Sequence, residues 1–260
     1  MKIANIDLGN EFDWGKASKD YAKYRDIYPD EFYQKIIDLG YCKENQKILD
    51  LATGTGVLPR NMYMYGGKWT GVDIAENQIK YAKKLSEGLD IKYIVSQVEE
   101  LEFEENTFDV ITACQCFMYF DKNILLQKIH KWLKPNGHLL IMFMNWLPYE
   151  SEIAYKSEEL VLKYNPSWSG KGSTCSEIET PDWLDDMFTV SNKIAFDINV
   201  KFTRDTWHGR IKACRGIGTG ALSKEEIAKW EAEHKAMLSS YPEKFTIPHF
   251  ATILDLKNLE

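Results

Sequence analysis

Two carboxylates around a small-residue turn carry the chemistry that can be read from this chain. Asp50 ends a short apolar run, Lys47-Ile48-Leu49, and Leu51-Ala52-Thr53-Gly54-Thr55-Gly56 follows at once. Asp73 ends a second run, Trp69-Thr70-Gly71-Val72. The glycines lack a Cβ, so the backbone can come close to a ligand. A carboxylate at such a turn repels a pyrophosphate and suits a ligand carrying an ammonium or sulfonium. Asp73 has two readings: its carboxylate could accept hydrogen bonds from ribose hydroxyls, or it could cap the helix that begins just after it.

The elements that position these groups are a strand, a tight turn and a helix opening at Val57-Leu58-Pro59-Arg60. That order is the first unit of an open α/β sheet, in which ligands sit at the carboxyl ends of the strands. A dinucleotide site would share this unit and an acid about 20 residues downstream. It would also need a G-x-G-x-x-G turn, and counting from Gly54 the third glycine position holds Pro59. No Tyr-x-x-x-Lys pair for hydride chemistry appears. An NAD-dependent oxidoreductase is therefore the weaker of the two nucleotide readings.

Asp50-x-x-x-Gly54-x-Gly56 resembles the first motif of class I S-adenosylmethionine (SAM)-dependent methyltransferases, of the small-molecule type. That motif usually has a glycine where Ala52 stands; alanine keeps the turn small but does not suit a positive φ. Further matches follow in order. Ser96-Gln97-Val98-Glu99-Glu100-Leu101 resembles the third motif, with Gln97 at the usual aspartate position. Phe108-Asp109-Val110-Ile111 and the turn Lys134-Pro135-Asn136-Gly137 resemble later ones. Tyr21-x-x-x-Arg25-x-x-Tyr28-Pro29 is similar to a segment that closes over the amino-acid end of SAM in such enzymes. The resemblance implies SAM as cofactor and S-adenosylhomocysteine as product. It implies cofactor contacts from Tyr21, Arg25, Asp50, Ala52, Thr53, Gly54, Thr55, Gly56, Asp73, Ile74, Gln78, Gln97, Val98, Glu99, Cys114 and Gln115.

The fold expected is α/β: a seven-stranded, mostly parallel Rossmann-like sheet with helices on both faces, an N-terminal helical lid and an insertion after strand five. Residues 1–46 form the lid, 47–145 the SAM-binding core, 146–190 an aromatic-rich substrate cover and 191–260 the closing strands and helix. Helices are expected at about 16–25 and 30–39, the second capped by Asp30, because proline disfavours helix at the residue before it. Another runs over 75–87 to a stop at Gly88. Strands are expected at 91–95, from 108 into the loop before 120, and at 138–145, with a helix capped by Asp121 before the last of these. The alternation of Ile194, Phe196, Ile198, Val200 and Phe202 predicts a half-buried strand. Ser223 with Glu226 predicts a capping box, and 245–256 a final strand.

On the acceptor side, Tyr24, Phe117, Tyr119, Trp146, Trp168, Trp207, Arg210 and Arg215 are the candidate substrate contacts. Arg210 and Arg215 could fork onto an anionic group, or be salt-bridged. His208 and Tyr119 are the candidate proton acceptors. Cys114-x-Cys116 inside a strand would place both thiols on one face, where such thiols usually pack.

The chain has 260 residues and a formal charge of −7. That balance argues against a nucleic-acid partner, whose binding surfaces are basic. No signal peptide and no membrane-length apolar run are seen. Five cysteines without C-x-x-C and five histidines without H-x-x-x-H give no metal site and point to reduced thiols in the cytoplasm. The assembly could be a monomer or a homodimer. A degenerate SAM-binding scaffold is the alternative to an enzyme.

Overall fold

The computed structural model describes residues 1–184, 186–220 and 222–259. The chain divides into two compact units. One comprises Met1–Ile27, Asn145–Ser176 and Asp197–Phe250; the other comprises Tyr28–Met144, Glu177–Phe196 and Ala251–Glu260.

In chain order the elements are α1 (Ser18–Tyr24), α2 (Asp30–Asp38), β1 (Lys47–Leu51), α3 (Val57–Met62), β2 (Lys68–Asp73), α4 (Glu76–Leu85) and β3 (Lys92–Val95). Then come β4 (Phe108–Cys114), α5 (Lys122–Trp132), β5 (Leu133–Trp146), α6 (Glu152–Tyr164) and β6 (Phe188–Thr203). α7 (Arg204–Lys212), α8 (Lys224–Ser239) and β7 (Lys244–Asn258) complete the chain. The seven strands make one sheet in the order β3-β2-β1-β4-β5-β7-β6. The pairs β3–β2, β2–β1, β1–β4 and β4–β5 are parallel. The strand order reverses between β1 and β4, which is where open α/β sheets bind ligands. The register sets Asp50 of β1 between Gly71 of β2 and Thr112 of β4.

The core around these strands is apolar on both sides, as a parallel sheet requires. Leu49, Val72, Ile111, Leu139 and Trp132 are fully or almost fully buried in it. α2 turns Phe32, Tyr33 and Ile36 inward, the spacing of one helical face.

Several local expectations change. Pro29, not Asp30, is the cap of α2; Asp30 is its first residue and places its charge at the helix N-terminus, where the dipole favours an acid. Residues 134–137 do not form a separate turn before the strand. They bulge out of β5, whose register against β4 jumps from Phe108↔Leu133 to Val110↔His138. The segment 146–190 is part helix and part irregular: α6 occupies 152–164, and the described residues from 165 to 187 belong to no helix or strand. Ser151 caps α6, accepting the Ala154 N–H at 3.3 Å, and Ile153, Ala154, Ser157 and Val161 are buried along one face. The aromatic residues on either side hide that periodicity in the sequence. The capping boxes of α7 (Thr203 with Thr206) and α8 (Ser223 with Glu226) both form.

Candidate cofactor site

β1 delivers Asp50 to the end of the sheet, and the chain then reverses in a tight turn. Ala52 has φ 47°, Gly54 57° and Gly56 71°. Ala52 thus adopts the positive φ that alanine does not suit, in a position where glycine would be unstrained. Thr53 N–H donates to Val72 O at 2.8 Å and ties the turn to β2. Gly71 is bare because Thr53 packs on it: a Cβ there would lie 2.8 Å from Thr53 Oγ1. At Gly56 a Cβ would collide with the Tyr93 phenol.

The two carboxylates sit beneath and beside this turn. Asp50 is 3% exposed and Asp73 is 7% exposed. Each oxygen of Asp50 accepts a hydroxyl: Thr53 Oγ1 donates at 2.6 Å to one and Thr112 Oγ1 at 2.6 Å to the other. Burial pushes the Asp50 pKa up to about 6; the two hydroxyls oppose that push and the neighbouring Asp73 charge adds to it. Asp73 accepts the Gly54 N–H and the Ala75 N–H, both at 2.8 Å. Burial takes its pKa to about 6 as well, against the pull of those two donors.

This arrangement favours a particular ligand chemistry. Two carboxylates whose burial works against their charge gain from a ligand that brings positive charge. Each Asp73 oxygen uses one backbone donor and keeps a lone pair for a hydroxyl. Thr55 Oγ1 is buried with no hydrogen-bond partner among the described residues. A cationic nucleoside with a ribose diol fits this set. A pyrophosphate suits it less, since the Asp50 carboxylate beneath the turn would repel it.

The other expected cofactor contacts of this unit are distributed along the same strand ends. Ile74 is 44% exposed just beyond β2. Gln78 is buried on α4. Gln97 is exposed ahead of a single 3-10 turn, Val98–Glu100, in which Val98 is buried. Glu99 turns toward Asp121 and accepts its backbone N–H at 3.3 Å. Cys114 donates its thiol to Tyr28 Oη at 3.3 Å.

In the loop after β4 several side chains turn into the protein. Gln115 has φ 63° and spends its side-chain amide on Met144 O at 2.5 Å, pinning β5. Cys116 lies outside the strand and donates to Leu51 O at 3.2 Å, so the two thiols do not share a strand face. Phe117 is a core residue, 5% exposed and 5.5 Å from the Trp183 ring, which removes it from any open acceptor surface. Tyr119, half-buried, packs against the same core. Thr112 was not legible as a site residue. A threonine inside the apolar run Val110-Ile111-Thr112-Ala113 was the available signal.

The remaining candidates belong to the other unit. The Arg25 guanidinium lies 4.9 Å over the Tyr21 ring. Tyr24 packs on Gly209 of α7 and donates to Asp205 at 3.3 Å. Trp146 and Trp207 are buried edge to face, 5.7 Å apart, with indole N–H groups on Glu158 and Ser157. The Arg210 guanidinium stacks 4.8 Å from the Trp146 ring and donates to Cys214 Sγ at 3.0 Å. Trp168 is buried as well. Arg215 is salt-bridged rather than open: its Nε donates to Asp7 Oδ2 at 2.5 Å. His208 is buried on His234, 2.9 Å between their Nδ1 atoms, and burial pushes its pKa down to about 4.

Comparison with known proteins agrees with this geometry. Residues 49–141 match the family described as a methyltransferase domain. The chain is 36% identical over 118 residues to the phosphoethanolamine N-methyltransferase of Plasmodium falciparum, covering 43% of this chain and 44% of that one. It is 28% identical over 135 residues to a ubiquinone biosynthesis O-methyltransferase of Bordetella avium, covering 50% and 56%. The chain thus spans about half the length of these curated relatives. The crystal structure of the YcgJ protein from Bacillus subtilis shares the fold, with TM-score 0.53, 18% identity, and coverage of 89% of this chain and 100% of that one. The match to the methyltransferase-domain family is confined to residues 49–141, the stretch that holds the turn and both buried carboxylates.

Proposed function

We propose that the protein is a SAM-dependent methyltransferase that methylates a small molecule and releases S-adenosylhomocysteine. The observation that carries this reading is the turn at 52–56, set between two buried carboxylates at the reversal of the strand order. SAM, when bound, supplies a methyl group on a sulfonium that is intrinsically electrophilic. The chain's own residues bind and align. Gly54 and Gly56 let the backbone approach, Asp50 supplies negative charge, and Asp73 accepts the ribose hydroxyls. Ile74 covers a face of the adenine, while Gln97 and the Val98 N–H read its edge. Alignment of a nucleophile with the methyl carbon can supply much of the rate. A general base is required only where the nucleophile must first lose a proton.

A small-molecule acceptor is supported by the charge of −7 and by the names of the two relatives. The five cysteines are free thiols, which fits a cytoplasmic location. Among the described residues no helix is long and apolar enough to cross a membrane.

Calorimetric titration with SAM, S-adenosylhomocysteine and NAD tests the proposal. Micromolar binding of the first two without NAD is expected. Binding of NAD alone would overturn it. Binding of SAM with no methylated product across an acceptor screen would favour a scaffold.

A further inference from the structure

Asp50 lies buried between two hydroxyl donors. Its two oxygens are each taken at 2.6 Å, by groups from different elements: Thr53 from the turn and Thr112 from β4. Thr112 is fully buried. Its single proton has two acceptors within reach, Asp50 Oδ1 at 2.6 Å and Leu49 O at 3.5 Å, and the shorter contact takes it. A strand residue placed in register with Asp50 thus donates to the carboxylate from inside the sheet.

We infer that Thr112 is a positioning residue for cofactor binding: its hydroxyl, with that of Thr53, orients Asp50 and keeps it ionised as the fixed counter-charge of the cofactor site. The inference rests on the SAM reading above. The physical reason is that a buried carboxylate returns to its neutral form unless donors hold the charged one. The other groups around Asp50 give no such help. Asp73 at the end of β2 repels its charge, while Cys42 before β1, Cys116 after β4 and Tyr93 of β3 are neutral groups whose own ionisation it opposes. Arg60 of α3 acts on the Tyr93 phenol and holds Thr55 O at 3.1 Å. The two threonine hydroxyls are the donors that hold the Asp50 charge among the described residues.

The test is an infrared titration of the carboxyl band in the ligand-free protein, assigned with Asp50→Asn, alongside SAM calorimetry at pH 5.5 and 8. Thr112→Val should raise the Asp50 midpoint by about one pH unit, the scale of one hydrogen bond to a charged group. SAM should then bind several-fold to about tenfold more weakly at pH 5.5, and within about twofold of wild type at pH 8. Thr112→Ser should restore both. If Thr112→Val does not fold, Thr53→Val should give the same upward midpoint. An unmoved midpoint, or uniform weakening at both pH values, would show a merely structural threonine and overturn the inference. Failure of the wild-type protein to bind SAM at either pH would overturn the cofactor reading together with it, and the wild-type titration alone separates that case.

Discussion

Asp73 reaches back across the turn to accept the Gly54 N–H at 2.8 Å, while its other oxygen holds the Ala75 N–H at 2.8 Å. One carboxylate therefore links the glycine turn after β1 to the start of α4. The helix-cap reading of Asp73 changes: Ala75 is the N-cap of α4, and Asp73 holds the Ala75 N–H from one turn before the helix, with a lone pair left on each oxygen for a ribose hydroxyl.

Asp73→Ala should accordingly fail in two ways. Two N–H groups lose their partner, which should cost about 1–3 kcal/mol of stability without any ligand. SAM affinity should drop by about tenfold or more, the scale of hydrogen bonds to a charged group. Denaturant unfolding of the apo protein and calorimetry read the two losses separately. Unchanged affinity would remove the ribose role and leave the structural one.

Ala52→Gly should stabilise the protein. The φ of 47° costs an L-residue about 1–2 kcal/mol, and the extra freedom of glycine in the unfolded chain takes back about 0.4–1 kcal/mol. A net gain of a few tenths to about 1 kcal/mol in urea unfolding is expected. Ala52→Val should lose stability, since a branched Cβ suits a positive φ least. A destabilised Ala52→Gly would show that the methyl group's packing outweighs the strain.

Arg215→Ala should be among the costlier single changes in its unit. It strands Asp7, which is 4% exposed and has φ 49°. Burial works against the Asp7 charge, and Arg215 with Ser169 still holds its pKa below the usual range. Removing one member of such a pair costs about 3–5 kcal/mol. Adding Asp7→Asn to Arg215→Ala should recover a large part of it, as a double-mutant cycle in chemical unfolding would show. Strict additivity would mean the pair is not coupled.

Acid should weaken the protein through its buried histidines. Burial lowers the pKa of His208 to about 4, of His234 to about 3 and of His249 to about 4. Below pH 6.5 the unfolded chain takes up protons that the folded chain refuses, so their contribution falls as pH drops from about 6.5 toward 4. Asp50 and Asp73 act in the opposite sense between about 3.8 and 6, because the folded state there holds the extra protons. His249→Leu should flatten the acid limb of a stability–pH curve by about 1.4 kcal/mol per pH unit, whatever it does to the plateau. An unchanged slope would mean that His249 is charged in the fold.

The sequence by itself determined the order of elements and the chemistry of the turn. Asp50, Gly54, Gly56 and Asp73 are legible because strand, turn and helix are local, and because each residue's role follows from its type at that spacing. The capping boxes at Thr203 and Ser223 are local in the same way. Tertiary structure decided what depends on residues far apart in the chain. Thr112 meets Asp50 only because β4 pairs with β1, and no spacing in the sequence encodes that register. Arg215 is spent on Asp7, which lies at the opposite end of the chain. Phe117 packs into the core and the Gln115 amide binds β5, placements that depend on neighbours far away in the chain. Ala52 shows the reverse influence: the tertiary tie from Thr53 to β2 and from Asp73 to Gly54 fixes the turn, and the alanine adopts a φ that its own preference would refuse.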